Sequence, residues 1–373
     1  MSADVLSLTE ARTYLVGQAG LRTYTRQSVP KLLNQRRCIQ LDPLQPIGTN
    51  ADLVALARLN GIQRGDVYSD LLPGHAFEHF SKERCLIPAD RFPLWRDEAA
   101  GNPRIRQTAR MKQLSEDVLN DVVSEVRERG PIAVADLTDR GRVTPLDYSG
   151  WKGTANRTTL AFEVLWRRCS VVVTGRQGKG KVIDVPERAL PEHHDAPANG
   201  PFDRIVLIDR VEAAGLLSEV SGPHWSMLAD ARKSDLPNQL IEDGILERVR
   251  LEGARRTYLA PAGFRDRTYP NDDGNLRILG PLDPMLWDRK LVQQVFDFEY
   301  VWEVYKPAAK RRWGWYVVPL LHHGRLVGRL EARAADGVLV VANVWDEGGL
   351  DGDALRAALT RHAQALGVEP PVR

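Results

Sequence analysis

Cysteine is scarce in this chain, and long apolar runs are missing. The 373 residues include three cysteines, Cys38, Cys85 and Cys169, which lie far apart in the sequence. An odd set of isolated cysteines forms neither a disulfide framework nor the paired spacing of a zinc site. No apolar run approaches the roughly 20 residues that a membrane helix needs, and MSADVLSLTEARTYL lacks the basic and apolar regions of a signal peptide. We therefore expect a cytoplasmic protein with no structural metal, no cofactor and no membrane contact.

Charge of one sign is not in excess either, because the formal net charge is only +2. The cations are nevertheless clustered, and arginine dominates: Arg36/Arg37, Arg104/Arg106/Arg110, Arg167/Arg168, Arg248/Arg250/Arg255/Arg256 and Lys310/Arg311/Arg312. Such clusters can form a basic stripe that binds nucleic acid on a nearly neutral molecule. They can equally form a solvated, ion-paired surface, so charge alone leaves both interpretations open.

The order of the predicted elements indicates repeated DNA-binding modules in an α+β chain. In 1–112, a capping box at Ser7 and Glu10 starts one helix, and Ser28 starts a second ahead of a short strand. In 113–187, SEDVLNDVVSEVRERG, PIAVADLTDRG and NRTTLAFEVLWRRC predict three helices, and SVVVTGRQGKGKVIDV predicts a hairpin. Three helices and a hairpin are typical of a winged helix-turn-helix, whose third helix and wing contact nucleic acid.

The remaining chain predicts a third module and then a different architecture. A linker at 188–201 precedes the module at 202–274, whose hairpin ILERVRLEGARRTYLA turns at Gly253. In 275–373, the runs FEYVWEVY, WGWYVVPLLHHGRLVGRLEARA and GVLVVANVW predict an antiparallel sheet. DGDALRAALTRHAQALG predicts a final helix capped by Asp351 or Asp353. We expect tandem winged helices followed by a C-terminal antiparallel β-domain.

One polar pair stands out, in the stretch RRCIQLDPLQPIG. In a strand, Ile39 and Leu41 would face one way and Gln40 and Asp42 the other. An aspartate before a proline is by itself more typical of a turn than of a catalytic site. From these residues alone, the stretch is either a strand end or a pair of acceptors aimed at a substrate.

Four stretches together, QLDP, FEHFSKERCLIP, GPLDPMLWDRK and YKPAAKRRWGWYVVPLLHHGRLVGRLEARA, resemble the AlkZ/YcaQ-like winged-helix DNA glycosylases. The resemblance spans nearly the whole chain in order. It implies tandem winged helices and a C-terminal β-domain that form a C-shaped clamp. It also implies removal of alkylated bases from double-stranded DNA in base excision repair, including bulky N7-alkylguanine adducts and interstrand crosslinks. Self-resistance to a DNA-alkylating product is a further role known among such relatives.

The resemblance assigns catalysis to Gln40 and Asp42, which match the family's Gln-Φ-Asp motif. Hydrolysis of an N-glycosidic bond passes through an oxocarbenium-like sugar, which a carboxylate can stabilise. We expect Asp42 to supply that charge and activate water, and Gln40 to orient the water or the sugar. The motif offers no lysine for a Schiff base, and Lys31 lies on the preceding helix. We therefore expect a monofunctional enzyme.

The sequence departs from the family just after this motif. Many relatives carry an arginine and one or two histidines there, whereas this chain has PIGTNADLVALARL, with Thr49, Ala51 and Asp52 at those places. The departure leaves the fine substrate specificity open.

DNA contacts are expected from basic residues of the modules and from a probing hairpin tip that the resemblance places at 322–325. These residues are Arg36, Arg37, Arg157, Arg167, Arg176, Lys179, Lys181, Arg311, Arg312, His322, His323 and Arg325. The histidine pair can also be an ordinary solvated turn. Nothing in the sequence demands an oligomer, so we expect a monomer. The competing functions are a winged-helix transcription regulator and a non-catalytic protein that binds adducts.

Overall fold

A computed structural model describes residues 4–102, 114–143, 155–178, 180–220 and 222–371. Its contacts divide the chain into two compact units. Unit 1 comprises residues 1–67, 81–85 and 206–373, and unit 2 comprises 68–80 and 86–205. Among the described helices, none is both long enough and apolar enough to cross a membrane. The domain boundaries drawn from the sequence stay a prediction.

Helices and short strands alternate along the chain, which makes the fold a mixed α+β one. The helices are α1 Leu8–Gln18, α2 Val29–Arg36, α3 Asn50–Leu56, α4 Asp66–Leu71, α5 Phe92–Gly101, α6 Glu116–Arg129, α7 Arg157–Arg167, α8 Pro186–Ala189, α9 Phe202–Ala214, α10 Ala229–Lys233, α11 Leu236–Glu242, α12 Arg289–Phe296 and α13 Gly352–Leu366. The strands are β1 Asp4–Leu6, β2 Ile39–Gln40, β3 Ala76–Phe80, β4 Arg84–Pro88, β5 Ile132–Ala133, β6 Arg142–Val143, β7 Ala155–Asn156, β8 Val172–Gln177, β9 Gly180–Asp184, β10 Leu217–Ser218, β11 Leu246–Leu251, β12 Thr257–Pro261, β13 Arg277–Ile278, β14 Val317–His322, β15 Arg325–Ala335 and β16 Val338–Asp346.

The capping signals in the sequence start the helices that they predicted. Ser7 and Glu10 form a reciprocal capping box before α1, with the Ser7 amide donating to the Glu10 carboxylate at 2.8 Å. Ser28 caps α2. Asp351 caps α13 by accepting from the Ala354 amide at 2.8 Å. Since each cap satisfies a helix N–H that has no partner within the helix, these boundaries could be located from local sequence.

Unit 1 contains two four-stranded sheets. One has the order β1-β11-β12-β10, with β1 parallel to β11 and the other pairs antiparallel. The other has the order β13-β14-β15-β16 and is antiparallel throughout, as expected for this part of the chain. Helix α1 packs beside α12 in a core that also includes residues of β11 and β12.

The strand predicted from FEYVWEVY is wrong. Residues 298–305 form no strand, although Phe298 and Tyr300 are buried. The Glu303 carboxylate accepts from the backbone amides of Arg312 and Trp313 at 2.9 and 2.8 Å. The segment is therefore an irregular loop whose Glu303 carboxylate bonds to the following loop, and the buried Tyr300 hydroxyl donates to the Val317 carbonyl of β14 at 2.8 Å.

Unit 2 contains two of the helices and the hairpin predicted for the second module. Helices α6 and α7 pack together, and β8 pairs with β9 from Val172↔Asp184 to Gln177↔Gly180. The expected second helix is shorter than predicted, because PIAVADLTDRG forms β5 and one 3₁₀ turn, Val134–Asp136. Strand β5 pairs with β9. This order of helix, short turn, helix and hairpin departs from the predicted three helices and hairpin at the second element.

A buried ion pair joins two distant parts of unit 1. The two terminal nitrogens of the Arg58 guanidinium, Nη1 and Nη2, donate to the Asp283 carboxylate, at 2.7 and 2.9 Å, and both residues are almost fully buried. Arg58 also donates to the carbonyls of Ala19 and Val54, at 2.7 and 2.9 Å. A buried cation needs a carboxylate in close geometry to offset its lost hydration. The pair therefore requires α1, α3 and the segment around residue 283 to meet.

The three residues that depart from the family pattern form the start of α3. Thr49 caps the helix by accepting from the Asp52 amide at 3.0 Å, and Ala51 is fully buried. The buried Asp52 carboxylate accepts from the Gly65 amide at 3.3 Å, and its second oxygen has no hydrogen-bond partner among the described residues. Burial raises the pKa of the Asp52 carboxyl, against the opposing hydrogen bonds from Thr49 and Gly65.

Replacing Asp283 with alanine should lower the free energy of unfolding by about 3–5 kcal/mol, because the Arg58 cation would stay buried without its carboxylate. Urea unfolding followed by circular dichroism measures the change. The control is Glu299→Ala, which removes an exposed partner of Arg312 at 3.5 Å and should cost less than about 1 kcal/mol. Equal losses of unfolding free energy in the two variants would contradict the larger contribution of the buried pair.

Asp52→Asn should stabilise the protein by about 1 kcal/mol at neutral pH, since an amide cannot carry a buried charge. The raised pKa means that folding favours the protonated carboxyl. That stabilising contribution is present below the ordinary pKa of an aspartate and is lost as pH rises through the raised pKa. The advantage of the variant should therefore shrink as pH falls to about 4. Melting curves across this range check it, and an advantage that does not change with pH would refute the assignment.

Candidate active site

The backbone changes direction sharply between the end of α2 and the Gln40-Leu41-Asp42 motif. Arg37 follows α2 in the left-handed conformation, with φ of 60°, and β2 begins two residues later. The Leu41 amide donates to the Arg84 carbonyl at 2.8 Å. Asn50, at the start of α3, donates from Nδ2 to the Gln40 carbonyl at 2.8 Å. Strand pairing and a helix-borne amide thus hold the backbone of the motif.

Strand β2 is shorter than the alternating pattern predicted, and the polar side chain within it is buried. Gln40 is only 6% exposed, and the half-buried Asp42 lies beyond the strand. Asp42 Oδ1 accepts from the Leu44 amide at 2.8 Å across Pro43. This is the local turn that Asp-Pro favours. The turn interpretation and the acceptor-pair interpretation are therefore compatible, because the turn occupies one carboxylate oxygen.

The environment of Asp42 favours a stronger base than a free aspartate. Burial raises the pKa of the Asp42 carboxyl, and the hydrogen bond from Leu44 opposes the rise. Tyr316 lies near, since the Asp42 charge helps to raise the pKa of the Tyr316 hydroxyl, after burial and Tyr300. That buried hydroxyl has no hydrogen-bond partner among the described residues.

Sequence reasoning missed the side chain that contacts Gln40 directly. Lys82 Nζ donates to Gln40 Oε1 at 2.7 Å and lies 5.1 Å from the centre of the Trp287 ring. Burial lowers the pKa of the Lys82 ammonium. The only signal was its place in FEHFSKERCLIP, a stretch that supports the family resemblance, and Lys82 lies 40 positions after Asp42 in the sequence.

Two of the isolated cysteines meet behind the motif. Cys38 and Cys85 are buried, and the hydrogen bond between their thiols is the largest influence lowering the pKa of Cys38, to about 7. Ser81 Oγ donates to Cys38 Sγ at 3.8 Å, and Arg210 donates to Ser81 Oγ at 2.9 Å. This packing supports the strand pair that carries Gln40. No group of metal-ligating side chains is found in the described part of the chain.

The two arginines that precede the motif are engaged within unit 1. Arg36 is buried and donates to the Gln18 carbonyl at 2.6 Å, and burial lowers its pKa to about 9. Arg37 lies 3.3 Å from the Asp209 carboxylate and is about one-third exposed. A DNA contact by either residue stays a prediction.

The basic loop and the hairpin tip of the C-terminal part are more exposed. Arg312 is 67% exposed and lies over the Trp313 ring at 4.5 Å, while Arg311 donates to the Lys306 carbonyl. At the tip, the imidazole of the exposed His323 lies 3.4 Å from the Asp272 carboxylate.

The other residues of the tip differ in burial. His322 is 7% exposed and makes a 3.1 Å hydrogen bond with the Gly274 carbonyl. Its ring lies 4.1 Å from that of His323. Arg325 is exposed. The tip therefore offers one imidazole and one guanidinium to an external partner.

The residues of unit 2 that were expected to contact DNA make contacts within that unit. Arg176 pairs with Glu78 and lies over the Tyr68 ring at 4.7 Å. Arg167 lies over the Phe80 ring at 5.0 Å. Lys181 lies over the rings of Phe162 and Trp166 at 5.3 and 5.6 Å. Arg157 donates to the Arg142 carbonyl at 3.4 Å, and Lys179 lies outside the described residues.

Two comparisons place this chain among known proteins. The chain is similar in structure to the Streptomyces sahachiroi DNA glycosylase AlkZ, with a TM-score of 0.61 and 15% sequence identity over 100% of both chains. At this identity, the likeness shows a shared fold. The family model described as DNA glycosylase AlkZ-like matches residues 33–367. Because that match covers nearly the whole sequence, the chain belongs to the AlkZ-like DNA glycosylase family.

Proposed function

We propose that this protein is a monofunctional DNA glycosylase that hydrolyses the N-glycosidic bond of alkylated purines in double-stranded DNA. Its substrates would be bulky N7-alkylguanine adducts, interstrand crosslinks or both, and its role base excision repair. The observation that carries the proposal is a Gln-Φ-Asp motif with a buried Gln40 and a half-buried Asp42, in a chain of the AlkZ-like family. Genotoxin self-resistance is the corresponding proposal for its biological setting and rests on the resemblance.

Asp42 supplies the negative charge. As the glycosidic bond breaks, positive charge develops on the sugar, and a carboxylate with a free oxygen stabilises it. The same carboxylate accepts a proton from the attacking water. N7-alkylation already makes guanine a cationic leaving group, so little general-acid assistance is needed. The raised pKa of Asp42 increases its basicity.

Gln40 holds the water through its amide nitrogen. Since Lys82 donates to Oε1, the donor side of the amide is the one left for the substrate. An N–H bonded to the oxygen of the water would fix one lone pair, while one water proton points to Asp42. The second lone pair is then available to attack C1′ of the sugar, which is the near-attack arrangement that hydrolysis needs.

The modules would bind the DNA around this site. We propose that the helix–turn–helix–hairpin order of unit 2 is a winged helix, and that the tip at 322–325 probes the duplex. Exposed Arg312 and Arg325 are cations that can contact phosphate, and the exposed imidazole of His323 can form a hydrogen bond with it. The tandem modules, the C-shaped clamp, the domain boundaries and a monomeric state belong to the same proposal.

The experiment that tests the function is incubation with N7-methylguanine-containing or nitrogen-mustard-treated DNA, followed by heating in alkali. Strand cleavage at the modified guanines above the level of protein-free modified DNA is expected, because an abasic site is alkali-labile. Modified DNA without the protein is the control, since heat and alkali alone also release some N7-alkylguanine. Absence of cleavage with every alkylated substrate, together with retained DNA binding, would favour a transcription regulator or an adduct-binding protein.

Asp42→Asn should lower the rate of base release at least about 100-fold, because it removes the charge and the base together. DNA affinity should stay within about twofold, since the variant removes no cation. Single-turnover kinetics and a binding titration measure the two effects. In the wild type, base release should fall as pH is lowered through the raised pKa of Asp42. The control, Asp90→Asn at an exposed position, should behave as wild type, and full activity of Asp42→Asn would exclude the assigned role.

Borohydride added during the reaction should trap no covalent complex between protein and DNA. Trapping requires a Schiff base between an amine and the sugar, and a hydrolytic enzyme forms none. Denaturing gel electrophoresis with end-labelled DNA is the measurement. A stable adduct that depends on the lesion would overturn the monofunctional assignment.

A further inference from the structure

We propose that Lys82 is a positioning residue for base excision, which fixes the Gln40 amide with its N–H groups toward the attacking water. The proposal rests on the proposed glycosylase function. It concerns a residue outside the Gln-Φ-Asp motif, reached through the fold and not through the local sequence. Lys82 contacts the side chain of Gln40, and no role in the chemical step itself is assigned to it.

The contact determines which way the amide points. An ammonium group has three donors and no acceptor, so the Gln40 atom 2.7 Å from Lys82 Nζ must be the oxygen. The amide nitrogen then lies on the other side of the side chain, where no described residue accepts from it. A charged donor makes a stronger hydrogen bond than a neutral one, so the opposite orientation is strongly disfavoured while Lys82 stays protonated.

Lys82 is itself held in place by a closed set of contacts. Its ammonium lies over the buried Trp287 ring, and the Trp287 indole donates to the Leu282 carbonyl at 2.9 Å. The Leu282 amide donates to Asn50 Oδ1 at 3.3 Å, and Asn50 Nδ2 donates to the Gln40 carbonyl at 2.8 Å. The chain of contacts begins at the Gln40 side chain and returns to the Gln40 backbone. A lysine anchored in this way holds one orientation of the amide.

The consequence for catalysis follows from the roles of the two polar groups of the motif. Asp42 accepts hydrogen bonds, and a rotated Gln40 would present a second acceptor. The motif would then have no donor to hold the oxygen of the water. The attacking lone pair would no longer be directed at C1′ of the sugar. In this proposal, Lys82 allows the Asp42 carboxylate to accept from a water while the Gln40 amide donates to the same water.

The test uses the full chain and a duplex with a single N7-methylguanine in single-turnover reactions. Lys82→Met should slow base release about 10- to 100-fold, the effect of losing one charge-assisted hydrogen bond that orients a reacting group. Lys82→Arg should recover most of the rate, since arginine also donates to Oε1. The dissociation constant for the duplex should change less than about threefold in both variants. The control Lys31→Met removes an exposed lysine of α2 and should leave the rate unchanged.

A double-mutant cycle separates positioning from an independent role. Once Gln40→Ala has removed the amide, adding Lys82→Met should slow the reaction no further. A double variant slower than Gln40→Ala by the full factor of the Lys82 substitution would overturn the proposal, as would full activity of Lys82→Met. Lys82→Gln repeats the cycle if the methionine variant does not fold.

The amine could instead attack the sugar as a nucleophile, and the borohydride arm decides this. Trapping in the wild type that disappears in Lys82→Met would make Lys82 a nucleophile and reject positioning. Failure of the wild type to release any base would reject the proposed function itself. A wild type that releases base, with a variant that is equally fast, rejects only the role of Lys82.

Discussion

Unit 1 depends on the buried pair between Arg58 and Asp283. The guanidinium also donates to the end of α1 and to α3, and the carboxylate accepts from the Met285 amide at 3.0 Å, in the turn that leads to Trp287. One satisfied charge thus fixes α3 relative to the segment that carries Leu282 and Trp287. Helix α3 begins at Asn50, which bonds to Gln40. The ion pair therefore helps to hold the segments that contact the motif.

Three side chains supply the polar groups of the candidate site: Asp42, Gln40 and Lys82. Asp42 has one oxygen bonded within its own turn, and its burial raises the pKa of the carboxyl, which makes it more basic than in water. Lys82 donates to the acceptor oxygen of Gln40, and in the proposed mechanism the amide donor holds the attacking water. A cationic leaving group needs little proton donation, so the proposed mechanism requires only Asp42 as charge stabiliser and Gln40 as water holder. A mechanism without a general acid suits alkylated purines better than normal bases, whose departure would require an acid.

Local rules predicted much of the fold, and long-range contacts decided the rest. The caps at Ser7 and Asp351 and the hairpin of β8 and β9 follow from short patterns, because their hydrogen bonds close within a few residues. FEYVWEVY had the composition of a strand, but Glu303 captures amides from residues 312 and 313, a contact that no local pattern announces. Gln40 and Asp42 are proposed from the motif, whereas the contact of Lys82 with Gln40 required the fold. The family resemblance is confirmed by the match over residues 33–367.

The central claim is that this site releases an alkylated purine by hydrolysis. The most direct measurement is chromatographic quantification of free N7-methylguanine liberated from a duplex with one such base, alongside the state of the DNA strand before alkali. The account predicts one equivalent of free base and a strand that stays intact until it is heated in alkali. Absence of free base, or strand scission concurrent with base release, would contradict it.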